Sequence, residues 1–222
     1  MKRFFTLLLA ALLLLTLASC GRRIDGGMTP GEGDPTTDQG NNNIPGNNNT
    51  DNNDTNEQNT MTHQNSHELL ATLWTARAED DRFPIMGGDY DNVVENAPGA
   101  FDLTHAEAAA NIDSLLSFPS EEIAKIDNAA SIIHSMNANI FTCGAYHVTN
   151  AEDTAALAER VKNHILTKQF LCGSPERLII LHLPDNYLMV LYGNADAVAG
   201  FADHTKVLIT DTTTLVDQTL TS

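Results

Sequence analysis

Along this chain the apolar positions change period three times. From Phe4 to Ala18 they run almost unbroken, interrupted only by Thr6 and Thr16. From Gly21 to Gln64 they nearly vanish: "GEGDPTTDQGNNNIPGNNNTDNNDTNEQNT" holds one Ile and no aromatic residue. From Asn65 onward they return in two forms, at helical spacing and in short β-rich runs bounded by Gly, Pro and Asn. Three segments follow: 1–19, 20–64 and a globular part over 65–222.

Within the globular part, Asn65 with Glu68 three residues later forms a capping box. Leu69, Leu70, Leu73 and Trp74 then make one helical stripe, closed near Arg77 and Glu79. "DRFPIMGGDYDNVVENAPGAFD" reads as loop, punctuated by Gly and Pro. Thr104 and Glu107 repeat the capping pattern and open a short helix to about Leu116, and Ser120 is the next candidate cap. "ASIIHSMNANIFTCGAYHV" holds two β-rich runs about Asn137-Ala138 and predicts a hairpin. Asn150 caps a long helix with Ala158, Val161 and Ile165 on one face. "RLIILHLPDNYLMVLYG" predicts a second hairpin about Pro184-Asp185-Asn186. Asn194 opens a helix to about Phe201, and "KVLIT" (206–210) is the candidate final strand. The order is β-β-α-β-β-α. It predicts an α+β fold with an antiparallel sheet and helices packed mainly on one face, preceded by a disordered linker. Several runs are apolar throughout, which points to strands covered on both sides in places.

The first apolar run changes the picture most. Lys2 and Arg3 give it a basic start. Its fifteen residues would reach only about 22 Å as a helix, short of the roughly 30 Å hydrocarbon core. That suits a signal-peptide core better than a membrane span. The run ends in Leu17-Ala18-Ser19-Cys20, which resembles the lipobox of bacterial lipoproteins. The resemblance implies cleavage before Cys20 and lipid, palmitate among the candidates, on its sulfur. The mature chain would then sit at the outer face of the bacterial cytoplasmic membrane. Two or more acyl chains anchor stably, at about 0.8 kcal/mol per buried methylene.

The polar segment after Cys20 has too little to bury to offset the entropy of ordering. As a flexible tether from Gly21 to Gln64 it has an r.m.s. span of about 36 Å. "DNNDTNEQN" suggests a calcium loop only superficially, because positions six and twelve from Asp51 are Asn56 and Thr62 rather than Gly and Glu.

Charge narrows the partners. Twelve basic against 29 acidic residues give a formal net charge of −17. Such a surface repels nucleic acid, which needs clustered Lys and Arg, and also repels anionic headgroups. Membrane attachment must therefore be covalent or hydrophobic, and the lipid that the resemblance implies on Cys20 is the expected means. An envelope protein or cell-wall component is the partner class expected.

Candidate chemistry is sparse. Beyond the lipidation site, Cys143 lies in a predicted strand and Cys172 just before another. A bridge would close a 30-residue loop, worth roughly 3–4 kcal/mol in the chain-entropy model, and two buried free thiols are the alternative. Cys143 and His147 lie roughly 13 Å apart along a strand, too far for a nucleophile–base pair. His134, His147 and His182 fall on strands without metal-ligand spacing. Asp89, Asp91 and Glu95, in "GGDYDNVVEN", are weak calcium candidates, and the same loop could serve recognition. No nucleophile elbow, phosphate-binding loop or dinucleotide fingerprint occurs, and no cofactor is expected.

"FPIMGGD", "ENAPGAFDLT", "IDNAASIIHSMNANIFTCGAYHVT" and "LCGSPERLIILHLPDNYLMVLYGNADAVAGF" resemble segments of a family of uncharacterised lipoproteins from clostridia-like Gram-positive bacteria. The resemblance covers most of residues 82–210. It implies the lipoprotein address and an α+β domain, and carries over no functional residues. The expectation is a non-enzymatic, membrane-anchored binding or assembly module. The alternatives are a cell-envelope hydrolase using carboxylates such as Asp89 and Asp91, and a cation or small-ligand receptor.

Overall fold

The sheet is built from strands whose two faces are both apolar, and that dictates the architecture. A computed structural model describes residues 64–171 and 173–220. Cys20, Cys172, the first apolar run and the polar segment through residue 63 lie outside the described residues.

Eight antiparallel strands form one sheet: β1 (Ile85–Gly87), β2 (Val94–Glu95), β3 (Gly99–Phe101), β4 (Ile126–His134), β5 (Phe141–Val148), β6 (Arg177–Leu183), β7 (Tyr187–Gly193) and β8 (Thr213–Thr219). Their spatial order is β2-β1-β4-β5-β7-β6-β8, with β3 also on β4. β1 takes one end of β4's outer edge (Ile85 opposite His134) and β3 the next stretch (Gly99 opposite Ser131). The two come close only because glycines face each other. A Cβ on Gly99 would lie 2.2 Å from the Gly88 nitrogen.

Both expected hairpins are present. β4 and β5 pair from Ile126–Val148 to Ile133–Thr142. β6 and β7 turn through Asp185 and Asn186, whose φ of 57° and 62° are the two left-handed residues that a type I′ turn requires.

The α+β class and the antiparallel sheet are as the pattern implies, but the helices divide evenly between the faces instead of packing mainly on one. α1 (Ser66–Thr75) and α4 (Ala195–Leu208) cover one face. There Leu70, Leu73, Phe201 and Ala202 meet Ile132, Cys143, Met189 and Leu191. α2 (Ala108–Leu116) and α3 (Thr154–Thr167) cover the other, where Ile112, Leu116, Leu157 and Val161 meet Tyr146, Ile180, Leu188 and Val190. Alternate residues of β7 thus bury in different layers, which is why "YLMVLYG" is apolar at nearly every position. Each fully buried Leu, Ile or Val contributes about 1.5–3 kcal/mol.

Asn65 caps α1 as expected, its Oδ1 accepting from the Glu68 nitrogen at 2.9 Å. Asn194 does the same for α4, accepting from the nitrogens of Asp196 and Ala197. Asn150 caps a short 3₁₀ turn (Ala151–Asp153) that leads into α3. Three further expectations are corrected. The stretch "DRFPIMGGDYDNVVENAPGAFD", read as loop, carries β1, β2 and β3. Thr104 gives its hydroxyl and N–H to the Asp102 carboxylate instead of capping a helix, so α2 starts only at Ala108. "KVLIT" is not a strand. Val198, Phe201, Ala202 and Thr205 keep the helical spacing, Val207 points outward at 78% exposure, and the last strand comes later as β8.

Candidate functional site

Of the residues singled out from the sequence, Asp89 has the most specific environment. It lies on a turn held by Gly88, whose φ of 86° favours glycine and whose Cβ would meet the Asn92 carbonyl oxygen at 1.9 Å. The Asp89 carboxylate is buried. Its Oδ1 accepts from the backbone nitrogens of Asp91 (3.0 Å) and Asn92 (2.8 Å) and from Asn92 Nδ2 (3.2 Å). Its Oδ2 accepts from the Asp102 nitrogen at 2.8 Å. Burial pushes its pKa up, but the N–H donors outweigh that and hold the carboxyl below its ordinary value.

This set of contacts orders a loop. Both oxygens already face donors, so they are not presented to a cation. Asp91 turns instead to His105 Nδ1 at 3.4 Å, and His105 Nε2 meets Asp102 at 3.2 Å. Glu95 lies exposed on β2, opposite Met86. The three weak calcium candidates are therefore not gathered, and among the described residues no three His, Cys, Asp or Glu side chains are placed to hold a metal ion. With its pKa held low, the buried Asp89 carboxyl is not disposed to act as a general acid, which needs its pKa raised.

Cys143 is fully buried in the α1/α4 layer, where burial pushes its thiol well above the ordinary range. Among the described residues it has no disulfide partner. The proposed partner, Cys172, lies outside the described residues. A buried, protonated thiol is not a nucleophile.

The strand histidines are dispersed. His134 Nδ1 accepts from the Met136 nitrogen at 3.2 Å, and its ring stacks on Phe83. His182 sits in β6 opposite Leu188. His147 belongs to a bonded chain that the sequence did not suggest. Its Nδ1 lies 2.7 Å from Asp127 Oδ1, which also accepts from Asn128 Nδ2 at 2.8 Å. Asn128 Oδ1 in turn accepts from the Ser66 nitrogen at 2.8 Å and from its hydroxyl. A histidine oriented by a carboxylate is the base half of a hydrolytic triad. Ser66, however, is fully buried and spends its proton on Asn128, so these bonds tie α1 to β4.

The opposite end of the sheet has a different character. Here the β4–β5 turn meets the segment joining α3 to β6. Asn139 Nδ2 donates to the carbonyls of Leu171 and Gly173, both at 2.6 Å. Met136 and Leu171 are each 84% exposed, with Ile140 and Leu166 partly so. A recess of about 180 Å³ opens nearby, lined by Ile165, Leu166, Lys168, Phe170, Pro175 and Leu220 among others. Lys168 is tied back, its Nζ donating to the Asp113 carbonyl at 2.6 Å. Small-molecule sites usually enclose about 300–1,000 Å³. This recess is sized for a side chain, and its lining mixes apolar side chains with Lys168, Ser174, Gln218 and Thr219.

The chain matches no protein-family model, no curated protein and no solved structure.

Proposed function

We propose that the chain is a lipid-anchored, extracytoplasmic binding or assembly module, held through Cys20 at the outer face of a bacterial cytoplasmic membrane. The lipobox-like Leu17-Ala18-Ser19-Cys20 supports the address, as does the phrase-level resemblance to clostridia-like lipoproteins. Among the described residues, no helix is long and apolar enough to cross a membrane. The observation that carries the binding role is the apolar end, with Met136 and Leu171 each 84% exposed on an otherwise acidic, well-packed domain. Exposed apolar clusters with polar surroundings mark protein-interaction surfaces.

The address and the binding role are tested separately. Cys20→Ser should leave the membrane fraction and take up no radioactive palmitate, and continued labelling would refute the anchor. A photo-crosslinking residue at position 136, in otherwise intact cells, should yield a discrete adduct with an envelope component. The same residue on the exposed face of α3, at Glu159, should not. Equal adducts at both positions would refute a localised binding end.

A further inference from the structure

β8 closes one side of the sheet, and among the described residues only β6 pairs with it. Its hydrogen-bonding phase can be read from its end. The Leu220 nitrogen donates to the Glu176 carbonyl at 2.7 Å, in the register that sets Arg177 opposite Thr219. In an antiparallel pair, bonded and non-bonded positions alternate. Gln218 and Leu220 therefore bond toward β6, while Asp217 and Thr219 turn their N–H and C=O groups to the open side. Nothing in Thr213–Thr219 guards that edge. It has no Pro and no Lys, and its one charge, Asp217, is held by Arg177 through Nε and Nη2, both at 2.9 Å. A shift of register between Ile180 and Leu181 bends only the far half of the strand.

Beside this bare stretch of edge lies the recess described above, since Gln218, Thr219 and Leu220 form one wall and α3 the other. Open backbone groups and a side-chain-sized recess, where Leu166, Phe170 and Leu220 sit among Lys168, Ser174 and Gln218, form a groove between a helix and an edge strand. We propose that this groove binds an extended, non-acidic peptide segment of a partner protein as an added β-strand, with one bulky apolar side chain seated between Leu166, Phe170 and Leu220. The proposal rests on the binding-module reading and names its partner class. Size supports the occupant: a cavity of about 150 Å³ accommodates a benzene ring, and this recess is about 180 Å³. Charge supports it as well, because a chain of net charge −17 repels an acidic segment and favours a neutral or basic one. Main-chain bonds supply affinity in strand addition, and the side-chain hole supplies selectivity.

The test uses the full chain and a fluorescent heptapeptide, Thr-Lys-Thr-Phe-Thr-Lys-Thr, blocked at both ends. Binding should saturate and should slow hydrogen exchange at the amides of Asp217 and Thr219. Ala for the central Phe should weaken binding about tenfold or more, and Glu for both Lys should also weaken it. Methylating alternate peptide nitrogens should abolish it. Thr219→Pro removes an outward N–H that β6 does not use, a change tolerated on strand edges, and should abolish binding while far-UV dichroism and melting stay unchanged. If that variant fails to fold, Leu166→Glu at the rim of the recess must give the same loss.

Binding that survives nitrogen methylation, or no saturable binding to any peptide of the set, overturns the proposal. So does self-association abolished by Thr219→Pro, which would assign the groove to a second copy. Protection of Asp217 and Thr219 in the peptide-free full chain would assign it to the chain's own residues and overturns the proposal equally. A position-136 adduct that persists while the peptides fail would show that the groove is wrong and the binding role is right.

Discussion

Asp89→Ala is the substitution whose cost can be worked most directly from the structure. The wild-type carboxylate receives four N–H contacts at 2.8–3.2 Å, three from backbone nitrogens and one from Asn92 Nδ2. A hydrogen bond to a charged group contributes about 1.5–3 kcal/mol net. Asp91 and Asn92 belong to an exposed turn and can take water instead, so their loss is discounted heavily. Asp102 N–H bridges 13 positions of sequence to the carboxylate and carries the larger share.

The expected loss is about 3 kcal/mol, or about 6–12 °C in melting temperature for a domain of this size. Asp89→Asn should lose less, about 2 kcal/mol, because one acceptor oxygen remains. The pH dependence gives a second check. The folded-state carboxyl is held below its ordinary value by the N–H donors, against the opposing effect of burial. Its contribution is therefore full above the ordinary carboxylate value of about 3.9 and fades as pH falls through the lower folded value. The gap between wild type and Asp89→Asn should shrink on acidification. Urea unfolding at several pH values measures both effects. A loss under about 0.5 kcal/mol for Asp89→Ala, or a gap that stays constant into strong acid, would refute the structural role assigned to this carboxylate.

Two further predictions follow from the core. Tyr146 is fully buried with its hydroxyl lacking a partner among the described residues, so Tyr146→Phe should stabilise by about 1 kcal/mol; urea unfolding decides, and a loss above 1 kcal/mol would show that the hydroxyl is bonded. The Cys143 thiol should resist a soluble aromatic disulfide reagent in the native protein and react on unfolding without added reductant, as mapped by mass spectrometry. Labelling within minutes in the native state, or only after reduction, would contradict a buried free thiol.

Much of the fold is written in short-range signals. Asn65 and Asn194 cap where side-chain chemistry says they should, and the Pro-Asp-Asn turn of β6–β7 follows from two residues that tolerate positive φ. Continuous apolar runs in β6 and β7 signal burial on both faces, yet they do not say which helix lies on which side, because that depends on strand order. "KVLIT" misleads because β-branched residues near a helix end look like a strand when the helical stripe from Val198 to Thr205 is read too short. β8 is hard to see for the opposite reason: three of its seven residues are threonines, and only Val216 is buried. Asp89 is visible as an acid in a Gly-rich loop. Its role is not, because the donor that matters most comes from Asp102 through the pairing of β3 with β4. The His147–Asp127–Asn128–Ser66 chain likewise joins three segments that only the tertiary fold brings together.

The two helical layers have a consequence for how such a protein can vary. Central strands roofed above and floored below have no surface on which a substitution goes unnoticed, so tolerated change must collect at the rims. In a lineage sharing this architecture, β5 and β7 should change slowly and as coupled sets. The stretch around Met136 and Leu171 and the outer margin of β8 should drift more freely, while the interior stays the same.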